Sequence, residues 1–488
     1  MPHINLPFSV NVNNLVFVTE WIVLAYFIGI NSAYILLSFI ALKKMPRYMN
    51  SRVLDNLPRV YAGCEPPISV IAPAYNEEAT IASSVRSLLQ LDYPEYEVIV
   101  INDGAKDRTL EVLKEEFSLE PFPEAYRITI PCKTVKQIYR TAAFPRLCVI
   151  DKENGGKADA LNAGINASRF PLFCAIDADS ILQRDSLYRI VQAFLEDPTT
   201  IACGATIRIA NGCRVNGGLL EKVDLSRQPL ALLQTVEYMR AFLAGRFGWT
   251  PFNGLLIISG AFGLFRKEAV MKVGGFRHDT IGEDMELVVR LHRTLSKEKR
   301  PYRINFIPDP LCWTEAPEDI KTLRNQRIRW QRGLGDSLML NRACLRPGYA
   351  GWGVWTAFVF MMFFEWIGPL IEFIGYFFMP LAYFFNLLST AAFIAFLLAA
   401  FGLGMLASVC ALLLEELSFH TYPGLKNILI LFGVAIAENL GYRQIVSYWR
   451  LKGFLQWVFR RQAKWGEMKR TASWQADTPA SPETKPAI

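Results

Sequence analysis

The sequence predicts a mostly parallel α/β domain joined to a helical membrane region, and two observations carry this prediction. Between residues 67 and 200, short β-branched runs alternate with helix-like segments, a pattern typical of parallel strands linked by crossover helices. Long apolar stretches lie on either side, at residues 15–42 and 352–448. Both contain segments of the ~20 residues that a helix needs to cross a bilayer.

Composition supports a membrane protein and gives no indication of a nucleic-acid-binding protein or a zinc protein. The chain has 488 residues, 52% of them hydrophobic, and a net charge of +7. Basic residues crowd the edges of the apolar stretches, as the positive-inside rule predicts for cytoplasmic loops, so the charge does not indicate a nucleic-acid partner. The nine cysteines form no C-x-x-C pair and only four histidines are present, so a zinc site is not expected.

The first apolar stretch predicts a retained anchor rather than a signal peptide, because it is longer than the apolar core of a signal peptide. Lys43, Lys44 and Arg47 follow it closely. This charge asymmetry places the N-terminus outside and the rest of the early chain in the cytoplasm.

Acidic side chains follow four predicted strands. The strands are predicted at residues 68–72, 98–101, 147–150 and 172–176. The acids that follow them are Glu77, Asp103, Asp151, and the pair Asp177 and Asp179. Because the carboxyl ends of parallel strands meet at one edge of a sheet, these acids are expected to converge on one crevice.

Asp177 and Asp179 form a candidate metal site. Carboxylate oxygens suit Mg²⁺ or Mn²⁺, which proteins commonly hold with one or two acids plus substrate phosphates. Taken alone, Asp-Ala-Asp at a strand end is equally well explained as a turn or helix cap.

The later part of the domain is predicted to be mixed. Helices are expected at residues 229–242 and 283–293, with a glycine-interrupted pair of short runs at 255–266. Residues 320–333 are basic and amphipathic, which is typical of a helix lying along a membrane surface.

The C-terminal block predicts several crossings. Residues 391–414 and 425–446 are the clearest, whereas residues 352–388 are too long for one straight span and predict a kink or hairpin at Gly368-Pro369. A basic segment follows and is expected in the cytoplasm, which requires an even number of crossings after the catalytic domain; we expect four. Residues 471–488 are polar and are expected to be disordered.

Seven short motifs occur in order along the chain. They are Pro73-Ala-Tyr-Asn-Glu77, Asn102-Asp-Gly-Ala-Lys-Asp107, Asn154-Gly-Gly-Lys157 with Ala160-Leu-Asn162, Asp177-Ala-Asp179, Ser259-Gly-Ala-Phe262, Gly282-Glu-Asp284 and Gln326-Arg-Ile-Arg-Trp330. Together they resemble the family-two glycosyltransferases of GT-A fold, specifically the membrane-embedded processive branch that includes cellulose, chitin, hyaluronan and poly-N-acetylglucosamine synthases. The resemblance is close over about residues 67–335. In the flanking membrane spans it is a resemblance of general character.

The resemblance implies a domain order and a set of residue roles. The domains would be an anchor (1–45), a cytosolic GT-A domain (46–318), amphipathic interface helices (319–350), transmembrane helices (351–448) and a basic cytosolic segment with a disordered tail (449–488). By this resemblance, Tyr75, Glu77 and Asp103 would bind uridine and Lys157 would contact the diphosphate. Asp177 and, more directly, Asp179 would bind Mg²⁺ or Mn²⁺. Asp284, with Glu283 beside it, would be the general base, and the acceptor end and the leaving diphosphate would be bound by Gln326, Arg329 and Trp330.

The implied chemistry explains these residue types. Inverting sugar transfer is a displacement in which an acceptor hydroxyl loses a proton while a diphosphate leaves from the opposite face. A carboxylate such as Asp284 suits the base, and a divalent cation with an arginine such as Arg329 stabilises the departing charge. Trp330 offers a flat apolar face to a sugar ring, which is compatible with a second role as a membrane-interface aromatic.

Simpler interpretations exist for single residues. Glu77, Glu283 and Asp284 would also suit the positive end of a helix dipole, and Arg329 would also suit lipid head groups. Three acids lie inside apolar segments, where they are expected either to face a polar conduit or partner or to be hydrogen-bonded packing residues; they are Glu365, Glu372 and Glu438.

The sequence departs from the family pattern at several positions. Asn102 stands where aspartate is common, Ala105 where serine is common, and Gly282 where cellulose-type enzymes have threonine. Neither a Phe-x-Val-Thr gating segment nor a cyclic-dinucleotide-binding domain is found in this sequence, which disfavours dedicated cellulose synthesis.

The resemblance thus implies an integral protein of the bacterial inner membrane or plasma membrane, with its catalytic domain in the cytoplasm. It would transfer sugar from a UDP-sugar donor to the growing end of a β-linked polysaccharide and export the product, with export or accessory proteins as further partners. The alternative is non-processive transfer of one sugar to a lipid-linked acceptor. A transporter or a catalytically inactive scaffold would be a different class, which the intact acids disfavour.

Overall fold

A ten-stranded sheet forms the centre of the region between the two apolar blocks. The computed structural model describes residues 12–55, 63–216 and 218–460, so the expected disorder of residues 471–488 lies outside the described part of the chain. The strands of the described residues, ten in this sheet and two in a separate hairpin, are β1 (Ile68–Ala74), β2 (Tyr96–Asp103), β3 (Glu120–Pro121), β4 (Val135–Arg140), β5 (Leu147–Lys152), β6 (Leu172–Ile176), β7 (Ile181–Leu182), β8 (Thr200–Ile209), β9 (Arg214–Asn216), β10 (Leu219–Lys222), β11 (Phe262–Arg266) and β12 (Arg303–Thr314).

The sheet is parallel at its centre and mixed towards its edges. Its order is β3-β4-β5-β2-β1-β6-β11-β8-β12-β7, and β9 pairs with β10 in a separate hairpin. Strands β5, β2, β1 and β6 are parallel neighbours, β8 and β12 are also parallel, and β11 runs antiparallel between β6 and β8. The parallel strands are buried along nearly their whole length, which explains their continuous apolar sequences.

Sixteen α-helical segments are found in the described residues. They are α1 (Val12–Asp55), α2 (Ile81–Leu89), α3 (Thr109–Phe117), α4 (Lys157–Ala167), α5 (Ser186–Glu196), α6 (Pro229–Tyr238), α7 (Phe247–Trp249), α8 (Lys267–Lys272), α9 (Glu283–Lys297), α10 (Ile320–Leu340), α11 (Trp352–Phe360), α12 (Gly368–Phe384), α13 (Thr390–Leu397), α14 (Leu403–Ser418), α15 (Leu425–Ala437) and α16 (Arg443–Val458). Segments with π-helical geometry join several of them, at Met239–Arg246, Met361–Trp366, Leu398–Gly402 and Glu438–Tyr442.

The predicted α/β fold is confirmed. The four strands predicted before the acids are β1, β2, β5 and β6, and helices lie between them as their alternating pattern requires. Of the two short runs predicted at residues 255–266, one is the strand β11. The other, at residues 255–259, is not part of the sheet, and most of it lines the cleft described below.

Three described helices are long and apolar enough to cross a membrane: Asn14–Asn50, Thr390–Ser418 and Leu425–Val458. A fourth candidate is the pair Trp352–Trp366 and Gly368–Phe384, which is bent by 41° at the predicted Gly368-Pro369 break. In the described residues, the region after the sheet therefore holds two such helices plus one bent pair, not the four crossings that we expected. The first half of the bent pair falls short of the ~20 residues of a full crossing.

Candidate active site

One cleft, of about 870 Å³, runs from the sheet edge to the membrane helices. Its lining includes most of the predicted site residues: Lys157, Asp177, Asp179, Glu283, Asp284, Gln326, Arg329 and Trp330. Four separate elements deliver them, namely the start of α4, the loop after β6, the start of α9 and the middle of α10. Residues separated by up to about a third of the sequence thus meet on one surface, as the topology of α/β sheets favours.

Lys157 lies at the centre of the acidic part of the cleft. Its Nζ atom is 2.5 Å from Asp177 Oδ1 and 3.9 Å from Glu283 Oε1, and it donates a hydrogen bond to the Gly260 carbonyl at 3.3 Å. Burial alone would lower the pKa of Lys157, but the Asp177 and Glu283 carboxylates outweigh it and raise the pKa above its usual value. The ammonium therefore stays charged in the cleft.

The two acids at the start of α9 have different surroundings. Asp284 Oδ2 accepts the Gly260 N–H at 3.1 Å and Asp284 Oδ1 accepts the Met285 N–H at 2.8 Å. Burial raises the pKa of Glu283 to about 7; the Lys157 charge opposes this shift, and the Asp284 carboxylate adds to it. One acid is thus oriented by backbone donors, and the other takes up a proton near neutral pH.

Asp103 lies outside the lining of this cleft, in a buried network behind it. Its carboxylate accepts from Lys152 Nζ at 2.5 Å and from the N–H groups of Gly155 and Gly156 at 3.0 and 2.7 Å. Lys152 is fully buried and also contacts Asp159, at 2.6 Å. Burial raises the pKa of Asp103, and the Lys152 hydrogen bond opposes that shift. Asp103 therefore fixes the turn before Lys157, and its predicted role in base recognition stays a prediction.

The other two residues predicted to bind uridine lie in the loop after β1. Tyr75 is 39% exposed, whereas Glu77 accepts a hydrogen bond from Thr80 Oγ1 at 2.9 Å and donates its N–H to Thr109 at 2.8 Å. Neither lines the main cleft. Tyr75 is accessible to a ligand, and Glu77 organises the start of α2.

The predicted interface signature is carried by α10. Trp330 is 46% exposed, and the Arg327 guanidinium lies 4.2 Å from the centre of its ring. Gln326 Oε1 is buried without a hydrogen-bond partner among the described residues. The helix therefore presents an aromatic face and an unpaired amide oxygen to the cleft.

A close backbone contact joins the start of α9 to the middle of α10, and it was not expected from the sequence. A Cβ atom placed on Gly282 would lie 2.9 Å from the Gly333 carbonyl oxygen, and one placed on Gly333 would lie 2.9 Å from Gly282 Cα. The approach requires glycine on both sides. This close approach explains why position 282 is glycine and not the threonine of cellulose-type enzymes. The only sign of the contact in the sequence was the second glycine, at position 333.

Acids predicted inside apolar segments are paired. Glu365 Oε2 is 2.8 Å from Arg450 Nη2, and Glu438 is ion-paired with Arg240. Glu372 Oε1 accepts from the Tyr26 hydroxyl at 2.8 Å. Both interpretations offered for these acids hold for Glu365 and Glu372, because they line the cleft and are also hydrogen-bonded.

The acidic residues of the cleft suit a metal ion whose remaining ligands come from the substrate. No group of three or more His, Cys, Asp or Glu side chains in the described residues is arranged to hold a metal ion. Asp177 and Asp179 would supply only two carboxylates, and Asp177 is already paired with Lys157. Two acids with phosphate oxygens completing the shell is a usual arrangement for Mg²⁺ or Mn²⁺.

Comparison with known proteins identifies the class. The pattern described as "Glycosyl transferase family 2" matches residues 69–130, and that described as "Glycosyl transferase family group 2" matches residues 172–406. The chain therefore contains family-two glycosyltransferase domains, and the family recognised from the motifs is confirmed.

Particular relatives narrow the comparison. The chain is 31% identical over 267 residues to the poly-beta-1,6-N-acetyl-D-glucosamine synthase of Staphylococcus aureus (strain COL), and 30% identical over 267 residues to that of Staphylococcus epidermidis. Each alignment covers 54% of this chain and 54% of the relative, so the match spans about half the length of these proteins.

A solved structure supports the fold. The mannosyltransferase PcManGT from Pyrobaculum calidifontis, in complex with GDP-Man and Mn²⁺, matches with a TM-score of 0.50 and 18% identity, over 90% of this chain and 100% of that chain. At this identity the likeness concerns the fold alone.

Proposed function

We propose that the protein transfers a sugar from a UDP-sugar to the growing end of a β-linked polysaccharide, with inversion at the anomeric carbon. The observation that carries the proposal is the meeting of Lys157, Asp177 and Asp284 with the α10 signature in one cleft. The polysaccharide synthases among its relatives support this acceptor class. Because these relatives are poly-N-acetylglucosamine synthases, UDP-N-acetylglucosamine is the first donor to test.

Asp284 is the base in this proposal. The backbone N–H groups of Gly260 and Met285 donate to its two oxygens, which orients the carboxylate. A carboxylate held in this way can take the proton of an attacking acceptor hydroxyl. Glu283 keeps a second carboxyl beside it, and this carboxyl is protonated below about pH 7.

The leaving diphosphate would lie on the opposite side of the sugar, beside Lys157 and Arg329. Their cationic groups bind phosphate oxygens and stabilise the charge that develops on departure. Asp177 and Asp179 would hold Mg²⁺ or Mn²⁺ there, and a bound divalent cation supplies Lewis-acid stabilisation of the diphosphate. The GT-A neighbour with GDP-Man and Mn²⁺ supports the use of a divalent metal.

Export of the product through the protein's own helices is the finer part of the proposal. The cleft continues past α10 to Phe27, Tyr34 and Tyr376 on the membrane helices. A continuous lining of aromatic and polar groups suits a sugar chain, because sugars stack on aromatic faces and hydrogen-bond at their edges. We accordingly propose that the sheet domain lies on the cytoplasmic side of the bilayer. The alternative, addition of one sugar to a lipid-linked acceptor, would use the same cleft for a lipid.

Turnover and product length test these proposals. UDP release is measured with purified full-length protein in lipid nanodiscs and Mn²⁺, across UDP-glucose, UDP-N-acetylglucosamine and UDP-glucuronate, and the products are sized. We expect one donor to give long polysaccharide. Short lipid-extractable products would replace the polymerase proposal with the alternative, and no turnover with any donor would contradict the enzyme proposal.

A further inference from the structure

Arg246 is a cation of the cleft to which no motif assigns a role. It ends the π-helical segment Met239–Arg246 that follows α6 and packs against the membrane helices α1 and α14. Its guanidinium lies 3.7 Å from the centre of the Phe242 ring. This stacking fixes the guanidinium plane and leaves its edge, where the N–H groups are, for other contacts.

Three other arginines of the cleft have carboxylate partners. Arg327 Nη2 is 2.8 Å from Glu237, Arg450 Nη2 is 2.8 Å from Glu365, and Arg240 is paired with Glu438. For Arg246, by contrast, the described residues provide no side-chain ion pair or hydrogen bond, and its Nη1 atom is buried.

A buried guanidinium without a partner is costly, so a ligand is the natural source of its hydrogen bonds. Burial lowers the pKa of Arg246 to about 10, and the carboxylate that most opposes this shift is Asp284. Gln326 also lines this cleft, and its Oε1 atom is a buried acceptor that likewise lacks a partner among the described residues. A group that both donates and accepts hydrogen bonds, such as a sugar hydroxyl, would satisfy both side chains.

We propose that Arg246 binds the terminal sugar of the acceptor glycan, donating hydrogen bonds to its hydroxyl or acetamido oxygens while Asp284 faces the attacking hydroxyl. This inference rests on the proposed function. The donor diphosphate is assigned to the opposite side, at Lys157 and Asp177. Arg246 lies instead on the segment that packs against the membrane helices, which is the side from which a membrane-held glycan would reach Asp284.

The test compares R246Q with wild type and with R146Q in nanodiscs. Arg146 is a matched control, because it lies 4.6 Å from the centre of the Tyr96 ring but outside the cleft lining. Three quantities are measured: affinity for UDP with Mn²⁺, UDP release from UDP-N-acetylglucosamine with water as acceptor, and KM for a β-1,6-linked N-acetylglucosamine tetrasaccharide.

For R246Q we expect UDP affinity and water-dependent UDP release within about twofold of wild type, and a tetrasaccharide KM raised about 10- to 100-fold, as for loss of a charged hydrogen bond. R146Q should match wild type. R246K keeps the charge but not the planar fork, so its KM should be intermediate; this variant carries the test if R246Q does not fold.

An unchanged tetrasaccharide KM in a folded R246Q or R246K protein would overturn the inference, and so would a loss of UDP affinity, which would assign Arg246 to the donor. Wild-type protein that releases no UDP from any donor would instead contradict the proposed function, so the two failures are distinguishable.

Discussion

Lys157 contacts carboxylates from two elements, Asp177 after β6 and Glu283 at the start of α9. This single cation therefore holds together acids that would otherwise repel one another. A nucleotide diphosphate and a divalent cation would redistribute these contacts, because the metal neutralises the carboxylates and the phosphates compete for the ammonium. We expect Lys157 to exchange Asp177 for a phosphate oxygen when the donor binds.

The separate roles of the acids predict opposite effects of two amide substitutions. Asp284→Asn should lower transfer by at least 10²-fold, the usual scale for loss of a general base, with donor affinity largely retained. Asp179→Asn should weaken metal-dependent donor binding itself. Titration with UDP at several Mn²⁺ concentrations, beside turnover assays, separates the two effects. Near-normal turnover by Asp284→Asn would show that the base is assigned to the wrong residue.

Glu283 predicts a pH dependence of stability. Because its pKa is raised from 4.5 to about 7 in the folded protein, the folded state binds this proton more tightly than the unfolded chain does. The free energy of unfolding should therefore fall as pH rises from about 4.5 to about 7, by up to about 3 kcal/mol.

Thermal unfolding in detergent between pH 4.5 and pH 8, followed by tryptophan fluorescence, measures the effect. Other groups titrate in the same range, so the comparison is with Glu283→Gln, which should show a flatter profile. Parallel profiles for the two proteins would mean that Glu283 is not protonated near neutral pH.

At the scale of elements, the position of α10 against α9 depends on the Gly282–Gly333 contact. Gly333→Ala should separate the two helices, since its Cβ would lie 2.9 Å from Gly282 Cα. Overpacking of this kind costs about 1–3 kcal/mol, and we expect turnover to fall about tenfold or more because the acids and Trp330 would no longer face one another. The control is Gly433→Ala, a helical glycine with nothing within 4 Å of the added Cβ. Equal activity of the two variants would show that the Gly282–Gly333 contact is not needed for turnover.

A second contact joins α10 to the last membrane helix. Arg450 on α16 donates to Gln331 Oε1 at 2.9 Å and pairs with Glu365. Removing one partner of such a pair leaves an unpaired buried charge, which costs about 3–5 kcal/mol. Arg450→Met should therefore lower the unfolding temperature more than the double variant Arg450→Met/Glu365→Gln. If the double variant were the less stable of the two, the Arg450–Glu365 pair would contribute little to the stability of the protein.

The sequence predicted the elements that depend on local pattern. The runs before Asp103 and Asp177 are strands because continuous β-branched residues suit a buried parallel sheet, and the basic 320–333 segment is helical as its period predicts. It did not predict Lys152, Arg246 or the Gly282–Gly333 contact. These depend on which elements meet in three dimensions, and no local period records a contact between residues so far apart in the chain.

For the molecule as a whole, buried ion pairs link the sheet domain to the membrane helices. Arg208 on β8 is paired with Glu415 on α14, and Arg240, which follows α6, is paired with Glu438. Four crossings after the sheet were expected from the apolar stretches and from the basic segment that follows them, and neither feature distinguishes a full span from one half of a bent pair. Of these four charged residues, Arg240 also lines the cleft that runs from the sheet edge to the membrane helices, as do Glu365 and Arg450.

The central claim is that one cleft holds the donor at Asp177, the acceptor at Asp284 and the product beyond Trp330. The most direct test is an electron cryomicroscopy map of the full-length protein in nanodiscs, prepared during turnover with UDP-N-acetylglucosamine and Mn²⁺. We expect diphosphate density beside Lys157 and Asp177, and glycan density that passes Trp330 towards Tyr376. Nucleotide bound elsewhere, or a glycan that leaves the cleft directly to the solvent, would contradict it.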